Sequence, residues 1–366
     1  MEGAGNGSSR VSTLELFFDL VFVLTITQLT DVLYRAATLR SLFQVVLMLA
    51  LIWWMYGGYA WLTNAVAADA TNRRMLLLGG MGGFFLLALA VPNAFASTGL
   101  AFGLAYLVIV AVHSALFTRA ASERVVKAIL RISPFNAVSA LVVLAGGAVG
   151  GTAQYVLWTA AVALLWLSPV VGGLAGFEVA PSHFVERHGL VLIIAIGESV
   201  VAVAIGASGL AVDGGLAFVA LLGLALSACL WWLYFGRGDD ERAERALAAM
   251  APLERARCSL TAFFYCYLAM LLGIVAIAAA EQTALEHPFH ALSWSRAAML
   301  GGGVAVFLAG DALFQRRLAI GSGTSRAAAA ALALASVPVG AGQSAAGQIG
   351  LLVALLAATI AVDVRW

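Results

Sequence analysis

Charge is almost absent from this chain for one stretch of about 20 residues after another, the length a helix rising about 1.5 Å per residue needs to cross the hydrocarbon core of a bilayer. Apolar runs bounded by charge, glycine or proline lie near 13–34, 41–63, 74–97, 99–118, 125–147, 153–175, 188–207, 216–236, 257–280, 294–314, 326–343 and 346–364. A water-soluble globule is excluded, because 63% of the 366 residues are hydrophobic and 11% charged. Soluble domains run near about 45–50% and 25%. The expected fold class is an all-α, multi-pass integral membrane protein of about twelve transmembrane helices. The longest polar break, 236–256, carries Asp239-Asp240-Glu241-Arg242 and reads as an amphipathic surface linker.

Sidedness follows from the cations. Of 20 Lys and Arg, 17 fall in the two tails and the loops after even-numbered runs, and Arg35, Arg40 and Arg296 fall on the other side. The positive-inside rule then places the N and C termini in the cytoplasm and the chain in the cell inner membrane. One run too many would move every later loop across, so the even count and the sidedness support each other. Residues 1–11 read as a cytoplasmic tail, because the opening MEGAGNGSSR has one cation and no apolar core of a signal peptide. A formal net charge of +1 offers no field to recruit nucleic acid. The expected partners are the lipid bilayer, an unknown small or lipidic substrate, and protons.

Short motifs recur at one half-length. Trp53-Trp54-Met55-Tyr56 matches Trp231-Trp232-Leu233-Tyr234, and Ala115-Leu116-Phe117-Thr118-Arg119 matches Ala312-Leu313-Phe314-Gln315-Arg316. Asp19 precedes Trp53 by 34 residues and Glu198 precedes Trp231 by 33, which pairs two intramembrane carboxylates. The expected organisation is a first six-helix half, 12–176, and a second, 177–366. Six spans per half is even, so the repeats are parallel, related by an axis along the membrane normal. Gly79-xxx-Gly83, Gly147-xxx-Gly151 and Gly301-Gly302-Gly303 predict close helix crossings.

A charged side chain at mid-span costs roughly 2.5–3.5 kcal/mol, so each one needs a reason. Ser12-Thr13-Leu14-Glu15 reads as a capping box that opens the first helix. Asp19 lies one turn further in on the same face, where a cap cannot explain it. It must face the bundle and be paired or hold a proton. Before the seventh run comes Pro181-Ser182-His183-Phe184-Val185-Glu186-Arg187-His188-Gly189, and Glu198 lies roughly 14 Å past Gly189, near mid-bilayer. Arg187 is the expected partner of Glu15 or Glu186, or an interfacial arginine that snorkels. His183 and His188 lack a third ligand, and Glu286-His287-Pro288-Phe289-His290 reads as a solvated external loop. Asp311 and Asp363 are expected to pair locally with Arg316 and Arg365. Cys229, Cys258 and Cys266 show no metal-ligand spacing and read as small core residues.

The stretch Leu14-Glu-Leu-Phe-Phe-Asp-Leu-Val-Phe-Val23 with Thr27-Gln28-Leu29 resembles the opening signature of the bacterial low temperature requirement A family. Trp53 through Arg74, with Trp61, Asn64, Asp69 and the Arg73-Arg74 pair, resembles the end of its second span and the loop that follows, and Pro92-x-Ala94-Phe95 resembles its third span. His183-x-x-Glu186-Arg187-x-Gly189-Leu190, with Ile193-Ile194 and Gly197-Glu198-Ser199, is similar to its second signature. The resemblance covers residue 11 to the end, by motifs up to 236 and by hydropathy beyond. It implies a multi-pass membrane protein and singles out Glu15, Asp19, Glu186, Arg187 and Glu198, and it leaves the reaction open.

Two functions fit these residues. In a proton-coupled secondary transporter or permease, Asp19 and Glu198 take up and release protons, and Glu15, Glu186 and Arg187 form a cytoplasmic gate. In an integral membrane enzyme acting on a lipid or isoprenoid substrate, Trp53, Trp54, Trp231 and Trp232 line a cavity, with Asp19 or Glu198 as catalytic acid. No diphosphate motif, phosphate loop or metal cluster accompanies the second, so no cofactor and no metal is expected.

Overall fold

The computed structural model describes residues 11–65, 71–120 and 123–364, and every regular element among them is helical. In chain order these are α1 (Thr13–Arg35), α2 (Leu39–Ala65), α3 (Thr71–Ala90), α4 (Gly99–Ala120), α5 (Glu123–Val149), α6 (Gly151–Gly172), α7 (Pro181–Gly206), α8 (Gly214–Phe235), α9 (Asp239–Ala249), α10 (Pro252–Ser259), α11 (Tyr267–Glu286), α12 (Trp294–Arg317), α13 (Thr324–Ala335), α14 (Val337–Gly342) and α15 (Ala345–Val364). Twelve helical segments are long and apolar enough to cross a membrane. Most of the tail at 1–11, together with Arg10, Asp69 and Arg365, lies outside the described residues, as does the side chain of Arg119.

The departures from the expected bounds have local causes. Pro92 turns the third span into a short 3-10 turn, Val91–Asn93, where continuation to 97 was expected. Pro338 divides the eleventh into α13 and α14. The linker at 236–256 folds as α9 and α10, the first opening on three acidic residues that suit a helix N-terminus. The seventh helix starts at Pro181, seven residues before the apolar run, because its polar first turns are buried. The ninth span runs from Pro252 to Glu286 through a π-helical stretch, Leu260–Cys266.

In the first half α1 packs on α3, α3 on α4, α4 on α5 and α5 on α6, and α6 closes against α2. From α7 onward the contacts run α7 on α11, α11 on α12, α12 on α13, α13 and α14 on α15, and α15 against α8. Four helices make the centre, with α1 and α2 packed against α7 and α11. Trp53 Nε1 donates to the Phe264 carbonyl at 2.8 Å, tying α2 to the π-helical turn of the other half. Leu20, Leu86, Leu141, Val156, Leu221 and Leu332 point outward. An apolar exterior around a packed interior is what lipid requires. Gly147 crosses Gly99 so closely that a Cβ would stand 2.0 Å from the Gly99 carbonyl oxygen, and Gly83, Gly301 and Gly303 also meet neighbours. Gly79, Gly151 and Gly302 face open space.

Candidate functional site

Two pairs spaced i, i+4 interlock where the N-terminal ends of α1 and α7 meet. On α1, Glu15 and Asp19 share one face; on α7, His183 and Arg187 share another. The capping box forms as expected: Ser12 N–H donates to Glu15 Oε2 at 2.8 Å, and Ser12 Oγ accepts from Glu15 N–H at 3.3 Å. The same carboxylate also accepts from Arg187 Nη1 at 3.2 Å, and its Oε1 lies 3.1 Å from His183 Nε2. Capping and pairing are therefore one arrangement.

Asp19 is fully buried. Its Oδ1 accepts from the Tyr56 hydroxyl at 2.7 Å and from Arg187 Nη2 at 3.4 Å, and its Oδ2 has no partner. Arg187, 1% exposed, also donates to Thr63 Oγ1, and its guanidinium carbon lies 5.4 and 5.5 Å from the centroids of Phe18 and Tyr56. Such a cation is held by charge and by ring faces together. Asn64 completes the rim: it donates to the Ala180 carbonyl at 3.0 Å and accepts from the Ala180 N–H at 2.8 Å, fixing the start of α7. Glu186 takes no part. It faces outward on α7, where Val11 N–H donates to it at 3.4 Å.

Glu198 is also buried, and its Oε2 accepts from Thr27 Oγ1 of α1 at 2.9 Å. Asp19 and Glu198, aligned with each other by the half-length recurrence, do not lie at matched depth. Asp19 is six residues from the Thr13 start of α1, whereas Glu198 is seventeen from the Pro181 start of α7. The early start of α7 creates the difference. Along α1, Thr27 is eight residues beyond Asp19, which is about 12 Å. The far end of α1 is tied as well: the Tyr34 hydroxyl donates to Glu286, and Arg296 donates to Thr283 and to the Tyr34 carbonyl. Glu286 is therefore bonded to α1, where a solvated loop was expected.

Several other expectations shift. Trp53 and Trp54 are buried, but Trp231 and Trp232 are 40% and 46% exposed on the outer face, so the four cannot line one cavity. A cavity of about 50 Å³ between Trp54, Trp61, His113, Asn136 and Phe264 holds a molecule the size of a few waters. Asp311 pairs with Arg326 in place of Arg316, and Asp363 pairs with Arg326 and Arg237; the expected partner Arg365 lies outside the described residues. Arg316 donates to the Ser322 carbonyl. His188 packs among Trp53, Phe184, Phe263 and Tyr267. Cys266 is buried, Cys229 and Cys258 are half-buried, and all three are free. Three buried ionic residues escape the sequence reading, Asp239, Glu281 and Arg326, the first of them fully buried where a surface linker was expected. Glu281 fell just past the expected end of the ninth span, although no helix breaker intervenes before Pro288.

The family model described as bacterial low temperature requirement A protein matches residues 10–361. An uncharacterized protein of Rhizobium meliloti (strain 1021) is 28% identical over 321 residues, covering 84% of this chain and 78% of that protein. The matched region takes in eleven of the twelve apolar helices whole, most of the twelfth and every residue of the buried cluster between α1 and α7, and the chain belongs to the bacterial low temperature requirement A family.

Proposed function

We propose that this membrane protein is a proton-coupled secondary transporter of the inner membrane, with the polar groups between α1 and α7 as its coupling path. The observation that carries the reading is a charge count. Two buried carboxylates, Glu15 and Asp19, share one guanidinium, Arg187, which leaves one negative charge in excess in a site closed to solvent. A proton taken up on Asp19 balances it. The same proton weakens the hold of α1 on Arg187 of α7, so protonation and separation of the two helices are linked. Deeper in, Glu198 and Thr27 bridge the same pair of helices. In this reading Asp19 and Glu198 carry protons, Glu15 and Arg187 are the gate, and Glu186 stands at its rim.

The matching order of helix packing supports two six-helix halves, 12–176 and 177–366. An even number of spans per half suits parallel halves, and the cation distribution supports cytoplasmic tails. A membrane enzyme working on a lipid or isoprenoid chain is less well supported, because Trp231 and Trp232 face outward and do not line a cavity with Trp53 and Trp54.

The test uses proteoliposomes enclosing a pH-sensitive dye, challenged with a panel of cationic, zwitterionic and uncharged solutes. At least one class is expected to move protons with the native chain, and Glu198→Gln and Asp19→Asn to abolish the movement. Proton movement unchanged in both variants removes the mechanism.

A further inference from the structure

Glu281 sits in the last third of α11, fully buried, and neither carboxyl oxygen has a hydrogen-bond partner. Gly223 of α8 makes room for it: a Cβ there would lie 3.3 Å from Glu281 Oε1 and 2.8 Å from Val203 Cγ2 of α7. The side chain therefore ends in the seam where α7, α8 and α11 meet. One turn from Val203 on the same stripe of α7 is Ser199, and one turn from Gly223 on α8 is Ser227. Both hydroxyls are buried and without partners. A serine in a helix ordinarily satisfies itself on its own backbone, so two that do not, beside an unpartnered carboxyl, mark a polar seam that the packed state leaves unfilled.

The charged groups on the surrounding elements are engaged elsewhere. On α7, Glu198 takes the Thr27 hydroxyl and Arg187 is held by Glu15 and Asp19. On α12, Arg296 serves Thr283 and the Tyr34 carbonyl, and Asp311 pairs with Arg326. Asp31 and Arg35 of α1 pair with each other, and Arg40 of α2 donates to Tyr155. On α11 itself, Glu286 takes the Tyr34 hydroxyl, and α8 has no charged residue. Among the described residues no salt bridge reaches Glu281. An ionised carboxylate in that seam would have neither a cation nor a donor, and such burial costs far more than holding a proton.

We propose that Glu281 is a proton-binding site, which holds one proton in the packed state and releases it when α7 and α8 part at Val203 and Gly223. On release the carboxyl O–H bond breaks, the proton passes to water admitted at Ser199 and Ser227, and the hydrated carboxylate stays behind. The assignment goes beyond the transport reading, because it holds equally if the chain moves no solute.

The experiment is infrared difference spectroscopy of the full chain in lipid nanodiscs, between neutral and alkaline buffer, in the carbonyl region of protonated carboxylic acids. The native chain is expected to show a band at neutral pH, at the high-frequency edge where the carbonyl accepts no hydrogen bond. Glu281→Gln loses that band, Glu198→Gln keeps it, and Glu281→Asp keeps it with a shift, which separates loss of the acid from loss of the fold. The assignment is overturned if the band survives in Glu281→Gln, or if none is present in the native chain. It is equally overturned if sodium chloride abolishes the native band, since the seam then takes a metal cation in place of a proton.

Discussion

Replacing Arg187 by methionine tests the buried cluster most sharply, because the side chain keeps its length and loses its charge. Arg187→Met leaves Asp19 with the Tyr56 hydroxyl alone, and Glu15 with Ser12 and His183. Both carboxylates are at most 6% exposed, so solvent cannot take over from the guanidinium. Removing one member of such a pair costs roughly 3–5 kcal/mol, against at most about 1 kcal/mol for an exposed pair. The triple variant Glu15→Gln, Asp19→Asn, Arg187→Met removes the whole cluster, and replacing a complete buried ionic group is close to neutral. The triple variant is therefore expected to recover most of the loss. Unfolding in mixed micelles by a denaturing detergent, followed by fluorescence of the buried Trp53, Trp54 and Trp61, measures both. The reasoning is refuted if Arg187→Met falls within about 1 kcal/mol of the native chain, the range of an exposed pair, or if the triple variant is no more stable than the single.

Two further expectations use the same assay. Tyr56→Phe removes a hydrogen bond to a buried charged acceptor and is expected to cost about 1.5–3 kcal/mol; an unchanged midpoint would mean that Asp19 does not accept from it. Gly147→Ala puts a methyl group against the rigid Gly99 carbonyl and is expected to cost about 1–3 kcal/mol or more, whereas Gly79→Ala, with nothing within 4 Å, changes nothing measurable. Equal effects of the two would refute the close crossing of α4 and α5.

The twelve spans were legible because a bilayer imposes one length on every crossing helix, and most bounds fell within a few residues. Their ends misled where burial was achieved by pairing and not by apolar side chains. The segment from Pro181 to His188 looks like a loop, since five of its eight residues are Ser, His, Glu or Arg. It is helix because His183 and Arg187 find Glu15 and Asp19 on another element. Composition cannot report a partner 168 residues away. The i, i+4 spacing of those two pairs was present in the chain, and it separates Arg187 from Glu186, which points the other way. The depth of Asp19 rules out a cap, but nothing in the sequence favours it over Glu15 or Glu186 as a partner for Arg187. Glu281 was lost to the assumption that a carboxylate at the edge of an apolar run ends it. The repeated Trp-Trp motifs carry the same letters into different surroundings, buried in α2 and outward in α8, so sequence likeness overstated their equivalence.

The central claim is that the Glu15–Asp19–Arg187 cluster seals the path to Glu198. Accessibility of a cysteine at Thr27, beside Glu198, tests it most directly, in a chain whose three native cysteines are replaced by alanine. A membrane-impermeant thiol reagent is applied from the side on which α1 begins. Labelling is expected to be slow with the cluster intact and to rise at least about tenfold when Arg187→Met is added, the change that 1.4 kcal/mol produces. Equal rates with and without Arg187 would contradict the seal, and with it the gate.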